Sequence, residues 1–360
     1  MLLTFIAIVI ALFFAMNIGA SGAAATMGAV YGAGAVRQKT LALLLVALAV
    51  FLGAVLGSGE VVKTIGSGII PTDILNVPIV LIILVGATST LFIANLLGIP
   101  LSTSEVTVGS IVGVGIAFQA LYVSNLLYIV SFWIIVPVVA FSVAYVSGKG
   151  ILWFERRYPD LKKGGKWRKA LIALLIFTGC LEAFSAGMNN VANAIGPLVG
   201  AGLLDATQAI WLGGAFVALG AVLLGGRVLE TNGKRITSLS LLQGSVVSGT
   251  GGTLVVLASL LGIPVPLTQA TTSAILGVGT AENGFRLWQK NVIVQIIKVW
   301  IVSPILSLVV SYTLVHIILE PNPYVVIVVL SVFVGTFGTL SLLKTIRQDK
   351  KSIHEQGGGI

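Results

Sequence analysis

The sequence predicts an all-α polytopic membrane protein. We expect an inverted-topology repeat of about five spans each, one extra C-terminal span, about 11 TM helices in all, and broken or re-entrant helices at mid-membrane. Three observations predict it. Of 360 residues, 57% are hydrophobic and only 9% charged, with a mean hydropathy of +1.07, which excludes a soluble globular domain. Apolar runs long enough to cross a bilayer recur from end to end. Polar-studded segments in the first half match segments in the second at nearly constant spacing.

The apolar runs fall near 2–33, 41–58, 74–97, 100–121, 123–147, 170–201, 207–225, 238–261, 264–281, 291–318 and 324–343. The fourth and ninth are short enough to be re-entrant. The first lacks a basic leader and its apolar pattern continues, so it reads as a retained span and not a signal peptide. The 43 glycines suit close helix packing. The single cysteine, Cys180, excludes an internal disulfide and a cysteine-based metal cluster, and no metal site or cofactor is expected.

The net charge of +9 raises the question of nucleic acid. Its placement answers no. Basic residues cluster in "ERRYPDLKKGGKWRK" at 155–169 and "KTIRQDKK" at 344–351. With the N-terminus outside and the C-terminus cytoplasmic, 19 of 21 Lys and Arg lie on the inner side, Lys63 and Lys298 being the exceptions. This places the chain in the cell (inner) membrane. The expected units are 1–147, a first repeat; 148–169, a basic cytoplasmic loop; 170–318, a second repeat; 319–343, the extra span; and 344–360, a tail.

Three pairs of segments define the repeat. "GIPLSTSEVTVGSIVGVG" (98–115) aligns with "GIPVPLTQATTSAILGVG" (262–279), "GAVLGSGEVVKTIGSGI" (53–69) with "GAVLLGGRVLETNGKRI" (220–236), and "GASGAAATMG" (19–28) with "GMNNVANAIG" (187–196). The offsets are 164, 167 and 168. Five spans separate the starts of the copies, an odd number, so the copies run in opposite senses. Such repeats mark secondary transporters, with substrate near mid-membrane at their interface.

Polar groups in hydrocarbon persist only where they face a partner, a cavity or a ligand. Asn189 and Asn193 share a helix face, with Asn190 beside them. Gly187 and Pro197 suggest a break there, and Gly19, Ser21 and Gly22 a barer one in the first copy. Ser102, Thr103 and Ser104 follow Pro100, while Thr268, Gln269 and Thr271 follow Pro266, each at an expected helix start. Four helix starts converging would offer donors to a tetrahedral oxyanion. Ser21, Gly22, Ser102, Thr103, Ser104, Asn189, Asn190, Asn193, Thr268, Gln269, Thr271 and Lys298 are therefore the candidate anion cradle, Lys298 supplying positive field. Glu105, Glu182 and Asn189 are candidates for the coupling ion or proton. Glu60 with Lys63, and Arg227 with Glu230, are i, i+3 pairs that read as structural or gate elements. His316 and His354 stand alone, and no enzymatic motif occurs, so the chain is not expected to be an enzyme.

The quoted segments, together with "GEVVKTIGSGI", resemble the inorganic phosphate transporter (PiT) family over nearly the whole chain. That resemblance implies an inverted-repeat symporter, commonly a homodimer, taking up an oxyanion with a cation. The family signature reads GANDxANA in each half. Here its Asp is Gly22 in one copy and Asn190 in the other; its first Asn is Ser21 and Asn189; its second is Ala25 and Asn193. Where many members carry a His after the Ser/Thr run, this chain has Glu105. The pattern is similar to the bacterial sulfate permease branch of the family. Sulfate only accepts hydrogen bonds near neutral pH, whereas phosphate can donate one, so losing both Asp acceptors favours sulfate. The implied function is secondary active sulfate uptake coupled to H+, favoured over Na+. A phosphate symporter and an oxyanion channel are the alternatives.

Overall fold

A computed structural model describes residues 1–96, 101–158, 166–236, 239–284 and 291–332. Helix α1, Leu2–Ile18, continues through a π-helical turn, Gly19–Ala23, into short helical turns at Ala24–Thr26 and Gly28–Gly32. Then come α2 (Lys39–Gly57), α3 (Gly59–Ser67), α4 (Val77–Leu96), α5 (Thr103–Ala117) and α6 (Val123–Arg157). The second half holds α7 (Lys166–Gly200), α8 (Ala206–Leu224), α9 (Gly226–Ile236), α10 (Leu241–Leu260), α11 (Leu267–Asn283) and α12 (Asn291–Ile318). A shorter apolar helix, α13, follows at Pro323–Val332.

Among the described residues, eight helices are long and apolar enough to cross a membrane. The fourth and ninth apolar runs form α5 and α11, of 15 and 17 residues, too short to span comfortably. The halves share one order of elements: α2 and α8 have 19 residues each, and α4 and α10 have 20 each. The small amphipathic helices α3 and α9 occupy the same place in each half.

Packing inverts the soluble pattern. On α1 the small residues Ala7, Ala11 and Ala15 point inward while Leu2, Phe5 and Val9 are exposed. On α2, Ala42, Val46 and Ala54 are buried beneath exposed Leu44, Leu48 and Leu52. Lipid is as apolar as leucine, so burial drives little; close backbone approach of small residues decides which face turns inward. A Cβ at Gly187 would lie 2.0 Å from the Val50 carbonyl oxygen, and one at Gly53 would lie 1.9 Å from that of Phe184, fixing the crossing of α2 on α7. The crossing of α1 on α8 repeats this: a Cβ at Gly19 would lie 1.9 Å from Val217 O, and one at Gly220 2.1 Å from Met16 O. These four glycines are two pairs that align between the halves. The halves also exchange partners: α6 packs on α11, and α12 on α5.

Two expectations need correction. No half-helix begins at Gly187. Helix α7 runs unbroken to Gly200, with Pro197 in its last turn, because Gly187 serves a close crossing and not a kink. Helix α6 also continues past residue 147 to Arg157, into the segment read as loop. Of that segment 159–165, and of the extra span and tail everything from 333 on, lie outside the described residues, as do Pro100 and His354.

Candidate functional site

The polar residues of α7 meet the start of α5. Ser102 is the N-cap of α5, its hydroxyl accepting from Glu105 N. One residue on, Thr103 Oγ1 donates to Asn190 Oδ1 at 3.1 Å, and Ser104 Oγ donates to Asn189 Oδ1 at 3.1 Å. Asn193 Nδ2 donates to Ser104 Oγ at 3.2 Å and to Thr103 Oγ1 at 3.4 Å. Ser104, Asn189 and Asn193 are fully buried, and Thr103 and Asn190 nearly so. Residues far apart in sequence, one set from each half, thus form one hydrogen-bonded cluster. Asn193 Oδ1 has no protein partner within it.

Asn189 uses both ends of its amide. Its Oδ1 also accepts from Val265 N at 3.2 Å, while Nδ2 donates to Ile263 O at 3.1 Å and Ser259 Oγ at 3.0 Å. A backbone N–H can only donate and a carbonyl only accept, so the amide orientation is forced. Asn189 therefore clamps the turn before α11, which Trp133 of α6 also holds through Pro264 O at 2.9 Å.

The first copy contributes differently. Ser21 Oγ donates into its own helix, to Asn17 O at 2.9 Å. Gly22 faces Asn190: a Cβ there would meet only Asn190 Nδ2, at 3.7 Å. A π-helical turn carries both residues, a local widening often found at functional sites. Nearby, Asn95 Nδ2 donates to Asn17 Oδ1 at 2.7 Å, leaving the buried Asn17 Nδ2 without a partner.

Helix α11 begins at the N-cap Pro266. From its first turns, Gln269 Nε2 donates to Glu105 Oε1, and Thr271 Oγ1 donates to Glu182 Oε1 at 2.5 Å. Thr268 sits half-buried beside them. Two facing pairs are thus repeat mates: Gly22 with Asn190 at offset 168, and Glu105 with Gln269 at offset 164. An apolar crevice of about 440 Å³ between α5, α6 and α12 reaches Glu105 and Gln269, lined by Trp133, Trp300, Pro304 and Leu308.

Lys298 is not brought to the cluster. Its side chain is exposed on α12, and its long stem allows the ammonium to lie away from the core. Glu60 and Lys63 pair as expected, at 2.6 Å and largely exposed. Glu230 accepts from Lys39 of the first half at 2.7 Å, a partner that helical spacing did not suggest. Sequence reasoning missed Asn17, Asn95, Ser259 and Trp133. The alignment could have found two of them, because Asn95 and Ser259 are mates at offset 164.

The cluster is a neutral set of hydroxyls and amides, flanked by the first N–H groups of α5 and α11. Such a set offers donors to an anion without a fixed charge. Comparison with known proteins gives the setting. A profile of the phosphate transporter family matches residues 18–311. The chain belongs to that family. It is 56% identical to the sulfate permease CysP of Bacillus subtilis (strain 168) over 354 residues, 98% of this chain and 99% of that one. Among solved structures it resembles a sodium-dependent phosphate transporter, with a TM-score of 0.77 and 25% identity, over 89% of this chain and all of the other. Members of this transporter family are multi-pass membrane proteins, and the eight long apolar helices fit that setting.

Proposed function

We propose that the chain is a sulfate uptake permease of the cell membrane. It works by alternating access and couples sulfate to protons in preference to sodium. The observation that carries this reading is the neutral, donor-rich cluster of Thr103, Ser104, Asn189, Asn190 and Asn193, built from both halves. No carboxylate takes part in these bonds, so an obligate hydrogen-bond acceptor is not repelled there. The likeness to a sulfate permease supports the substrate. Ser21, Gly22, Ser102, Thr268, Gln269 and Thr271 complete the cradle in this reading, and Asn189 acts as its clamp.

The matched order of elements and the facing mate pairs support two halves in opposite senses. The basic loops support an outer N-terminus and a cytoplasmic C-terminus. A homodimer follows from the family resemblance. Moving two negative charges inward costs about 4.6 kcal/mol per 100 mV of inside-negative potential, so a coupling cation is required. Glu105 and Glu182 are the carriers. Sodium coupling is the second reading, favoured by the solved sodium-dependent neighbour.

The test is labelled sulfate uptake into proteoliposomes under a proton or a sodium gradient, with phosphate as competitor. Proton-driven accumulation that phosphate leaves unchanged is expected. Sodium-driven uptake removes the carrier role of the glutamates. Accumulation of phosphate in place of sulfate sinks the substrate assignment, and downhill flux alone indicates a channel.

A further inference from the structure

Among the described residues, the buried acidic side chains are Glu105 and Glu182, and no buried Lys, Arg, His or Asp accompanies them. The ion pairs Lys39–Glu230 and Glu60–Lys63 lie elsewhere. Each buried carboxyl is held by a neutral donor, and both donors sit in the first turns of α11: Gln269 on Glu105, and Thr271 on Glu182. The other groups around Glu105 are Ser102 of its own cap and Ser303 of α12. Around Glu182 they are Ser248, Gly251 and Gly252 of α10. Among the described residues, no charged side chain is among these neighbours. Cys180 lies two residues before Glu182 on α7 and so does not share its face.

The carboxyls are not mates of each other. At the repeat offsets, Glu105 corresponds to Gln269 and Glu182 to Phe14. Thr107, the mate of Thr271, accordingly has a buried hydroxyl without a partner. Each half therefore supplies one acid, at a different place, and α11 touches both. The partners suit both charge states. A hydroxyl or a carboxamide can donate to a carboxylate and, after rotating, accept from a carboxylic acid, which a lysine could not do.

We propose that Glu105 and Glu182 are two separate proton sites, both sensed by α11, and that each cycle carries two protons with one sulfate. This rests on the sulfate–proton reading above. Each carboxylate takes one proton from the outer side and gives it up to the inner side. Two positive charges then balance the two negative charges of sulfate, and the cycle moves no net charge.

The experiment is the accumulation ratio of labelled sulfate at static head in proteoliposomes. One pH unit is imposed, acid outside, and potassium with valinomycin holds the membrane potential at zero. The wild type is expected to reach about 100-fold, because each proton contributes about tenfold per pH unit. Glu105→Gln and Glu182→Gln should each reach about tenfold, and the double variant only equilibration. A ratio at equilibrium does not depend on rate or on the amount of folded protein, so a merely structural role does not move it. A wild-type ratio near tenfold overturns the proposal, as does an unchanged ratio in both single variants. If a variant does not fold, the wild-type ratio still decides the count. No proton-driven sulfate accumulation by the wild type overturns the parent reading, and this one with it.

Discussion

The two copies of the signature segment lie at matching places and work with opposite means. The second copy, on α7, keeps a regular helix and projects Asn189, Asn190 and Asn193 into the start of α5. The first copy widens into a π-helical turn and offers Ser21 and Gly22, with almost no side chain beyond the backbone. One copy of the segment supplies hydrogen-bonding arms, and the other supplies room for them. Aligned segments need not play symmetric parts, because facing residues such as Gly22 and Asn190 can divide one task between them.

The strongest way to break this comparison is at the crossings, where the halves should behave alike. Gly187→Val and Gly19→Val each push side-chain carbon into a facing carbonyl. Each should cost about 3 kcal/mol or more and abolish the monodisperse peak in detergent size-exclusion. A fully folded Gly187→Val protein would refute the crossing described for α2 and α7. Gly22→Ala is the control: its Cβ meets only an amide nitrogen at van der Waals distance, and stability should change by less than about 0.5 kcal/mol.

The next effect sharpens the asymmetry. Asn189→Ala removes four hydrogen bonds, to Ser104, Val265, Ile263 and Ser259. At about 0.6–1 kcal/mol each in a membrane interior, it should lose about 2.4–4 kcal/mol of thermal stability. Its mate, Ser21→Ala, loses one bond within its own helix and should shift stability by under about 0.5 kcal/mol. Equal losses would show that the first copy bears more of the site than its contacts indicate.

The smallest effect separates Thr271 from Thr107. Thr271→Val strips Glu182 of a 2.5 Å hydrogen bond and should cost about 1 kcal/mol. Thr107→Val removes a buried hydroxyl that has no partner, and should be neutral or slightly stabilising, within about 0.5 kcal/mol. Thermal melting of the two variants side by side is sufficient. A destabilised Thr107→Val would mean that the hydroxyl is engaged after all.

Much of this was legible in the sequence. Apolar length found the long helices and the two short ones at α5 and α11, but not the small amphipathic α3 and α9. The constant offsets found the matched segments, and the clustering of Ser, Thr and Asn found the residues that meet. The rest was hidden for identifiable reasons. Glycine beside asparagine reads equally as a helix break and as a close crossing, and only the facing Val50 carbonyl distinguishes them. Lys298 sits deep in an apolar run, but a flexible stem can carry its charge to the surface. Glu230 has Arg227 at helical spacing, yet its ammonium partner comes from 191 positions away. Asn189 has the chemistry of a ligand, but no local pattern reveals that Ser104, Ser259 and the backbone of Ile263 and Val265 engage both ends of its amide.

The glycine crossings also bear on the likeness between the halves. At Gly19, Gly187, Gly53 and Gly220 the facing atom is main-chain oxygen, which no change elsewhere in sequence can trim away. Most positions can drift once a neighbour compensates; these four admit no compensating partner. The likeness between the halves thus includes four positions where backbones touch, while the polar residues beside them, such as Ser21 and Asn189, differ.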